Sequence, residues 1–395
     1  MSNSPRITPA QELPAAPPYG VSTIAELLPS AAAVLEVPGY ENVLGLPVAS
    51  RICVVMIDGL GKALLKSRGG HAPFLRKAIE NSLTLQAPFP STTAASLASL
   101  GTGLPPGTHG IVGYDAVDPI KRRTVNQLGG WPKDLDPLAW QPHPTVFERA
   151  TESGVHTATV SMSQFKESSL TKAALRGTTF IEANTTHARV RATTEVLEAN
   201  PRSLVYCYFN ELDKAGHRYG KDSLEWGDTL EEIDSLVRTL AARVPKGTLL
   251  LLTGDHGMVD VPEKWRIDYS QYPELIQGVE LTAGEPRAVQ LHFNIDTNDE
   301  QREAVANAWR ESFGTKAWVL TRAEAIEQGL FGEVSEHVSE RIGDLLILAA
   351  EDVAFLDGRR VNPAAFTMIG QHGSLTRAER EIPLLTLAAP QRKKK

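Results

Sequence analysis

Four places in the chain put an aspartate or a histidine at or just beyond the end of an apolar run. Asp58 closes RICVVMID, with Gly59 and Gly61 behind it to permit a tight turn. Asp213 and His217 follow the run LVYCYF and stand four residues apart, a spacing that lays both side chains on one face of a helical turn. Asp255 and His256 are adjacent after LLLLTG, and His372 lies between Gly370 and Gly373. An isolated strand-end aspartate reads equally well as a helix cap, so the argument rests on the set. Asp58, Asp213, Asp255, His217, His256 and His372 make a mixed oxygen and nitrogen donor set. Such a set suits zinc, with manganese as the other option, better than magnesium or calcium. Divided as Asp213, His217 and His372 on one divalent ion and Asp58, Asp255 and His256 on a second, it leaves each ion open positions. Open positions belong to catalytic rather than structural metal sites.

A nucleophile is available in APFPSTTAASLASLGTG, which offers the hydroxyls of Ser91, Thr92, Thr93 and Ser96. A hydroxyl at the start of the helix expected from about Thr93 would be favoured as an alkoxide by the helix N-terminus and by a neighbouring ion. Serines and threonines before an Ala-rich segment also serve as plain N-caps.

With these residues in view, the chain resembles the type I phosphodiesterase/nucleotide pyrophosphatase family of the alkaline phosphatase superfamily. The resemblance is carried by Asp58-Gly59, Pro90-Ser91-Thr92-Thr93, the segment from Thr102-Gly103 through His109-Gly110-Ile111, Asp213 with His217, Asp255-His256-Gly257, and His372-Gly373. It implies an alkaline-phosphatase-like α/β fold and a hydrolase of small phosphate esters. It also implies the same two ligand triads, with Thr93 as nucleophile and metal-facing hydroxyl, and with Ser96 at the position of a phosphate-contacting residue. His109 matches the pattern outside the ligand set and reads as structural. The aromatic residues that would stack a nucleobase have no clear counterpart. A sulfatase is disfavoured because neither Cys53 nor Cys207 lies in a C-x-P-x-R setting. A phosphomonoesterase and a phosphonoacetate-type hydrolase share the metal motifs and remain as alternatives. A zinc-stabilised binding protein is the non-enzymatic one, and it would have closed coordination.

The elements that must position these residues are legible as short apolar runs at 52–57, 156–162, 204–209, 248–253 and 345–349, separated by helical patterns such as 224–242. Continuous rather than alternating apolar strands indicate a largely parallel central sheet covered by helices on both faces. Residues 280–340 break the rhythm with a strand, a helix and another strand, which suits a small inserted α+β cap. The expected organisation is an N-terminal extension and helix at 1–48, a metallohydrolase core at 49–279 and 341–395, and the cap between. Residues 1–20, with Pro14, Pro17 and Pro18, read as an extended or poorly ordered lead-in.

A length of 395 residues, 42% hydrophobic and 22% charged, belongs to a globular protein. The formal charge of −7 argues against general nucleic-acid binding, which calls for a basic surface. No run reads as a secretory leader or a membrane span, and the two cysteines sit in buried-strand patterns. A cytoplasmic location is the resulting expectation. The terminal QRKKK reads as a solvated tail.

Overall fold

The computed structural model describes residues 12–390. Five parallel strands lie in the order Thr248–Thr253, Arg51–Ile57, Ser203–Phe209, His156–Ser161 and Thr179–Glu182. At one edge Glu381–Ala388 runs antiparallel to Thr248–Thr253, and Leu83–Gln86 lies beyond it, completing a seven-stranded sheet. The strands Arg51–Ile57, Ser203–Phe209 and Thr248–Thr253 are apolar along most of their length and buried because both faces are covered. Ile52, Val54 and Met56 share a cluster with residues of the helices Leu27–Val34, Thr93–Thr102 and Val146–Glu152. Cys53, Val55 and Ile57 point the other way, to the helices Pro73–Ile79, Thr186–Ala199 and Leu224–Arg243. This is the mixed α/β architecture expected, with helices on both faces. Both cysteines are free and buried.

A second, antiparallel sheet of six strands runs in the order Ala317–Thr321, Leu345–Ala349, Ala288–Phe293, Val279–Glu285, Asp115–Asp118 and Arg123–Asn126. The run at 345–349, expected among the central strands, is therefore an inner strand of this sheet. A five-residue apolar strand buried on both faces has the same pattern in either setting. One face of the second sheet packs on the helix Asp299–Phe313 through Val289, Leu291, Ile347 and Trp309. Its other face, through Ala288, Trp318, Leu346 and Leu348, joins the same cluster as the central sheet. The sheet thus draws strands from both sides of 280–340 and shares a core with the rest of the chain.

The described part of the lead-in, residues 12–18, has neither helix nor strand and is packed on the rest of the chain. Leu13 and Ala16 pack against the core. The Tyr19 hydroxyl donates to Leu330 O at 2.9 Å and accepts from Phe89 N at 3.0 Å. Tertiary partners hold this proline-rich stretch in place. Residues 1–11 of the lead-in and the basic tail at 391–395 lie outside the described residues. No described helix is long and apolar enough to cross a membrane.

Candidate active site

The C-terminal ends of three adjacent parallel strands, where open α/β sheets bind their ligands, carry five of the six expected ligands. Asp58 follows Arg51–Ile57, and Asp255 and His256 follow Thr248–Thr253. Asp213 and His217 stand on the helix Glu211–Tyr219 that follows Ser203–Phe209. Gly59, at φ +75°, turns the chain sharply after Asp58, and a Cβ there would lie 3.1 Å from Asp213 Cα. The sixth ligand, His372, comes from the loop after Gly370–Gln371, a strand pair made with Val259–Asp260. Two triads result: in Asp58, Asp255 and His256, and again in Asp213, His217 and His372, the potential ligand atoms all lie within 4.8 Å of one another. The imidazoles of His256 and His372 stack across the two triads with centroids 3.6 Å apart, so the triads are neighbours.

Backbone carbonyls set the orientation of each imidazole. Nδ1 of His217 faces Gly370 O at 2.7 Å, that of His256 faces Gly257 O at 2.9 Å, and that of His372 faces Ser91 O at 2.9 Å. A carbonyl only accepts, so each Nδ1 is a donor there and each ring turns Nε2 inward, where it can offer a lone pair to an ion. Thr93 opens the helix Thr93–Thr102, which Thr92 caps in an extended conformation. Its Oγ1 lies 3.2 Å from His256 Nε2 and 3.4 Å from Asp58 Oδ1. Of the candidate hydroxyls, Thr93 is the one in contact with triad side chains; Ser91 Oγ donates to Ser374 O at 2.8 Å.

The model of the type I phosphodiesterase / nucleotide pyrophosphatase family matches residues 52–375, most of the chain. The chain belongs to that family. Among curated relatives it is similar to an uncharacterized pyrophosphatase/phosphodiesterase of Schizosaccharomyces pombe, 24% identical over 206 residues, 49% of this chain and 39% of the relative. It is also similar to human ectonucleotide pyrophosphatase/phosphodiesterase family member 5, 24% identical over 236 residues, 57% of this chain and 48% of that protein. The chain spans less than half the length of the curated relatives it matches. Among solved structures, murine ectonucleotide pyrophosphatase/phosphodiesterase 5 superposes with a TM-score of 0.67 at 19% identity, covering 85% of this chain and 88% of the other. An inactive threonine-to-alanine form of that protein in complex with AMP gives the same values. Phosphonoacetate hydrolase from Sinorhizobium meliloti, in complex with phosphonoformate, superposes with a TM-score of 0.67 at 18% identity, covering 88% and 92%. At these identities the superpositions establish the alkaline-phosphatase-like fold.

The side chains of this family member fit a pair of divalent ions on physical grounds. Asp255 Oδ2 and Asp213 Oδ1, one oxygen in each triad, are buried without a hydrogen-bond partner. Around His256 Nε2, Asp58 Oδ1 lies at 3.4 Å and Asp255 Oδ2 at 3.6 Å, lone pairs facing lone pairs. A cation among them removes that repulsion. Burial, then the charges of Asp255 and Asp213, pushes the Asp58 carboxyl well above the usual carboxylate range. Burial and the imidazoles of His256 and His217 hold His372 well below the ordinary histidine value.

The cavity over the triads has a volume of about 760 Å³ and is lined by Thr93, Asp58, Asp213, His217 and His372. One wall is apolar, with Leu97, Phe165, Leu170, Leu175 and Phe180, and another, from the second sheet, brings Tyr114, Asp115 and Glu285. The cavity is far larger than a phosphate and has room for an organic arm. Arg360 lines this cavity, with its guanidinium bonded to Asp115 at 2.5 Å. Lys214, exposed between Asp213 and His217, lines it too.

Ser96 does not face the cavity. It is fully buried, and Oγ donates to Asp255 O at 2.8 Å, because a residue one turn into this helix points back under the Asp255 turn. The geometry gives it a part in holding that turn. Tyr208 is the residue that sequence reading missed: its hydroxyl donates to Asp58 Oδ2. The signal was the pair Tyr206 and Tyr208, two hydroxyl-bearing side chains on one face of a buried strand end. His109 is buried between Ser99 Oγ at 3.0 Å and Ile111 N at 3.1 Å, a structural place.

Proposed function

We propose that this chain is a two-metal phosphodiesterase in which Thr93 attacks phosphorus and carries the phosphoryl group as a covalent intermediate. The observation that bears most of the weight is the contact of the Thr93 hydroxyl with His256 and Asp58 at the first turn of a buried helix. Asp213, His217 and His372 would hold one ion and Asp58, Asp255 and His256, with Thr93 Oγ1, the other. When bound, such a pair, of zinc or manganese, lowers the pKa of a hydroxyl and stabilises charge on the non-bridging and leaving oxygens of an in-line displacement.

The remaining steps belong to the chain's own groups. Tyr208 occupies Asp58 Oδ2 and leaves Oδ1 toward Thr93. The N-terminus of Thr93–Thr102 presents its dipole to the incoming anion. Thr93 Oγ gives up its proton to solvent and the Oγ–P bond forms as the bond from phosphorus to the leaving oxygen breaks, and the released alkoxide takes a proton from solvent to leave as the alcohol. Water then attacks phosphorus from the vacated side, and Thr93 Oγ leaves and recovers a proton. The inactive threonine-to-alanine form of the murine family relative supports this role for a threonine.

The apolar wall suits an organic ester arm, and the pairing of Arg360 with Asp115 leaves it poorly placed to serve the second charge of a monoester. Diesters are therefore the proposed substrates, and the second sheet is the proposed source of substrate selection. The deciding experiment is Thr93→Ala against Thr92→Ala, assayed on a diester, a monoester, a nucleotide and a phosphonate after zinc loading. Thr93→Ala should keep its metal and lose on the order of 10⁴-fold or more in kcat, while Thr92→Ala retains most activity. The reverse pattern would move the nucleophile by one residue, and a monoester preference would make the protein a phosphatase.

A further inference from the structure

The segment from His372 to Glu379 bonds to the turn before Thr93, to the turn after His256 and to Arg287. Ser91 N donates to Gly373 O at 3.1 Å and Ser91 Oγ to Ser374 O at 2.8 Å, which ties the segment to the nucleophile turn. Gly257 N, one residue beyond His256, donates to Glu379 O at 2.6 Å. A Cβ on Gly257 would lie 1.9 Å from Ala378 O, so the approach of the two turns demands glycine. The Glu379 carboxylate accepts from Ser374 N at 3.0 Å and from the Thr376 hydroxyl. On its other side it receives Arg287 in a fork, Nε to Oε1 at 2.7 Å and Nη2 to Oε2 at 2.8 Å. Arg287 Nη1 reaches the carbonyls of Glu351 and Val353 at 2.8 Å each. Both charged side chains are wholly shielded from solvent.

A fully buried ion pair is weak evidence for stability, since two apolar residues of similar volume serve as well or better. Its value lies in geometry, because a guanidinium fork fixes both distance and plane. Here the fork stands at the start of the second-sheet strand Ala288–Phe293, and the carboxylate stands between the turn of one triad and the loop of the other.

We propose that Arg287 and Glu379 are a positioning pair that sets the spacing of the two ligand triads, holding His372 against His256 from the second sheet. The proposal rests on the two-metal reading above and assigns the pair no contact with substrate. Outer partners of metal ligands typically change affinity by ~10- to 100-fold when removed.

The test is a titration of metal-free protein with Mn2+ alone, followed by electron paramagnetic resonance, alongside thermal unfolding of the metal-free form. Wild type should bind two ions and show a spin-coupled pair. Arg287→Met/Glu379→Met, an apolar replacement of the pair, should unfold near the wild-type temperature. Its second Mn2+ should nevertheless bind ~10- to 100-fold more weakly, with the coupled signal broadened or lost. Arg287→Lys, which keeps the charge but not the fork, should show the same defect in milder form and covers the case in which the double variant does not fold. Wild-type affinity and coupling in a folded double variant, or in Arg287→Lys where the double variant does not fold, would overturn the proposal while leaving the two-metal reading intact. A wild-type protein that never takes a second ion would overturn both.

Discussion

The two triads are built from the same residue types and differ in setting. The side chains of Asp58, Asp255 and His256 are 5%, 0% and 0% exposed, whereas Asp213 and His217 are 13% and 21% exposed. The inner triad comes from two strand ends locked together, with Gly59 N donating to Asp255 Oδ1 at 3.0 Å, and it carries Thr93 and Tyr208. The outer triad joins one helix to a separate loop, and its histidines are held by carbonyls of Gly370 and Ser91. On the proposed function the inner triad would activate the Thr93 hydroxyl and the outer one would meet the arriving and departing oxygens. The inner site should be the slower to exchange its ion.

The largest way to break this contrast is to remove one imidazole from each triad. His256→Ala should lower kcat by ~10³-fold or more, since it opens the site that faces the nucleophile. His217→Ala should leave one tightly held ion by metal analysis and lower kcat/KM by ~10²- to 10³-fold, because the inner site keeps its own three ligands. Equal metal loss in the two variants would mean that the triads act as one unit.

Tyr208→Phe sharpens the comparison within the inner triad. It leaves Asp58 Oδ2 without its donor, and kcat should fall by ~10-fold, with metal content unchanged or slightly reduced. The smallest effect is expected of Ser96→Ala. Losing one buried hydrogen bond to Asp255 O should cost about 1 kcal/mol in thermal or denaturant unfolding, with KM for diesters near wild type. A large rise in KM would restore Ser96 to the phosphate.

Much of the site was legible in the sequence because strand ends announce themselves. Asp58 and Asp255 each follow an unbroken apolar run, and the four-residue spacing of Asp213 and His217 needs only one helical turn. The helix start left four hydroxyls open, and the resemblance singled out Thr93 among them. What stayed hidden depends on contacts far apart in the chain. Tyr208 in a buried strand reads as core until its hydroxyl is seen against Asp58, 150 residues away. Arg287 and Glu379 are 92 residues apart and carry no local pattern at all. Leu345–Ala349 has the composition of a central strand, and only its antiparallel pairing with Ala288–Phe293 and Ala317–Thr321 assigns it to the second sheet. Ser96 was placed by counting along the chain, whereas its direction is decided by the helix.

The central claim is that Thr93 carries the phosphoryl group. It is tested most directly by acid-quenching zinc-loaded protein during turnover of an aryl diester and mapping the peptides by mass spectrometry. The account predicts a phosphoryl adduct on Thr93 that retains the uncleaved ester arm, forms within a single turnover and is missing from Thr93→Ala. Full turnover with no adduct at any time, together with an active Thr93→Ala, would contradict it and make water the direct nucleophile.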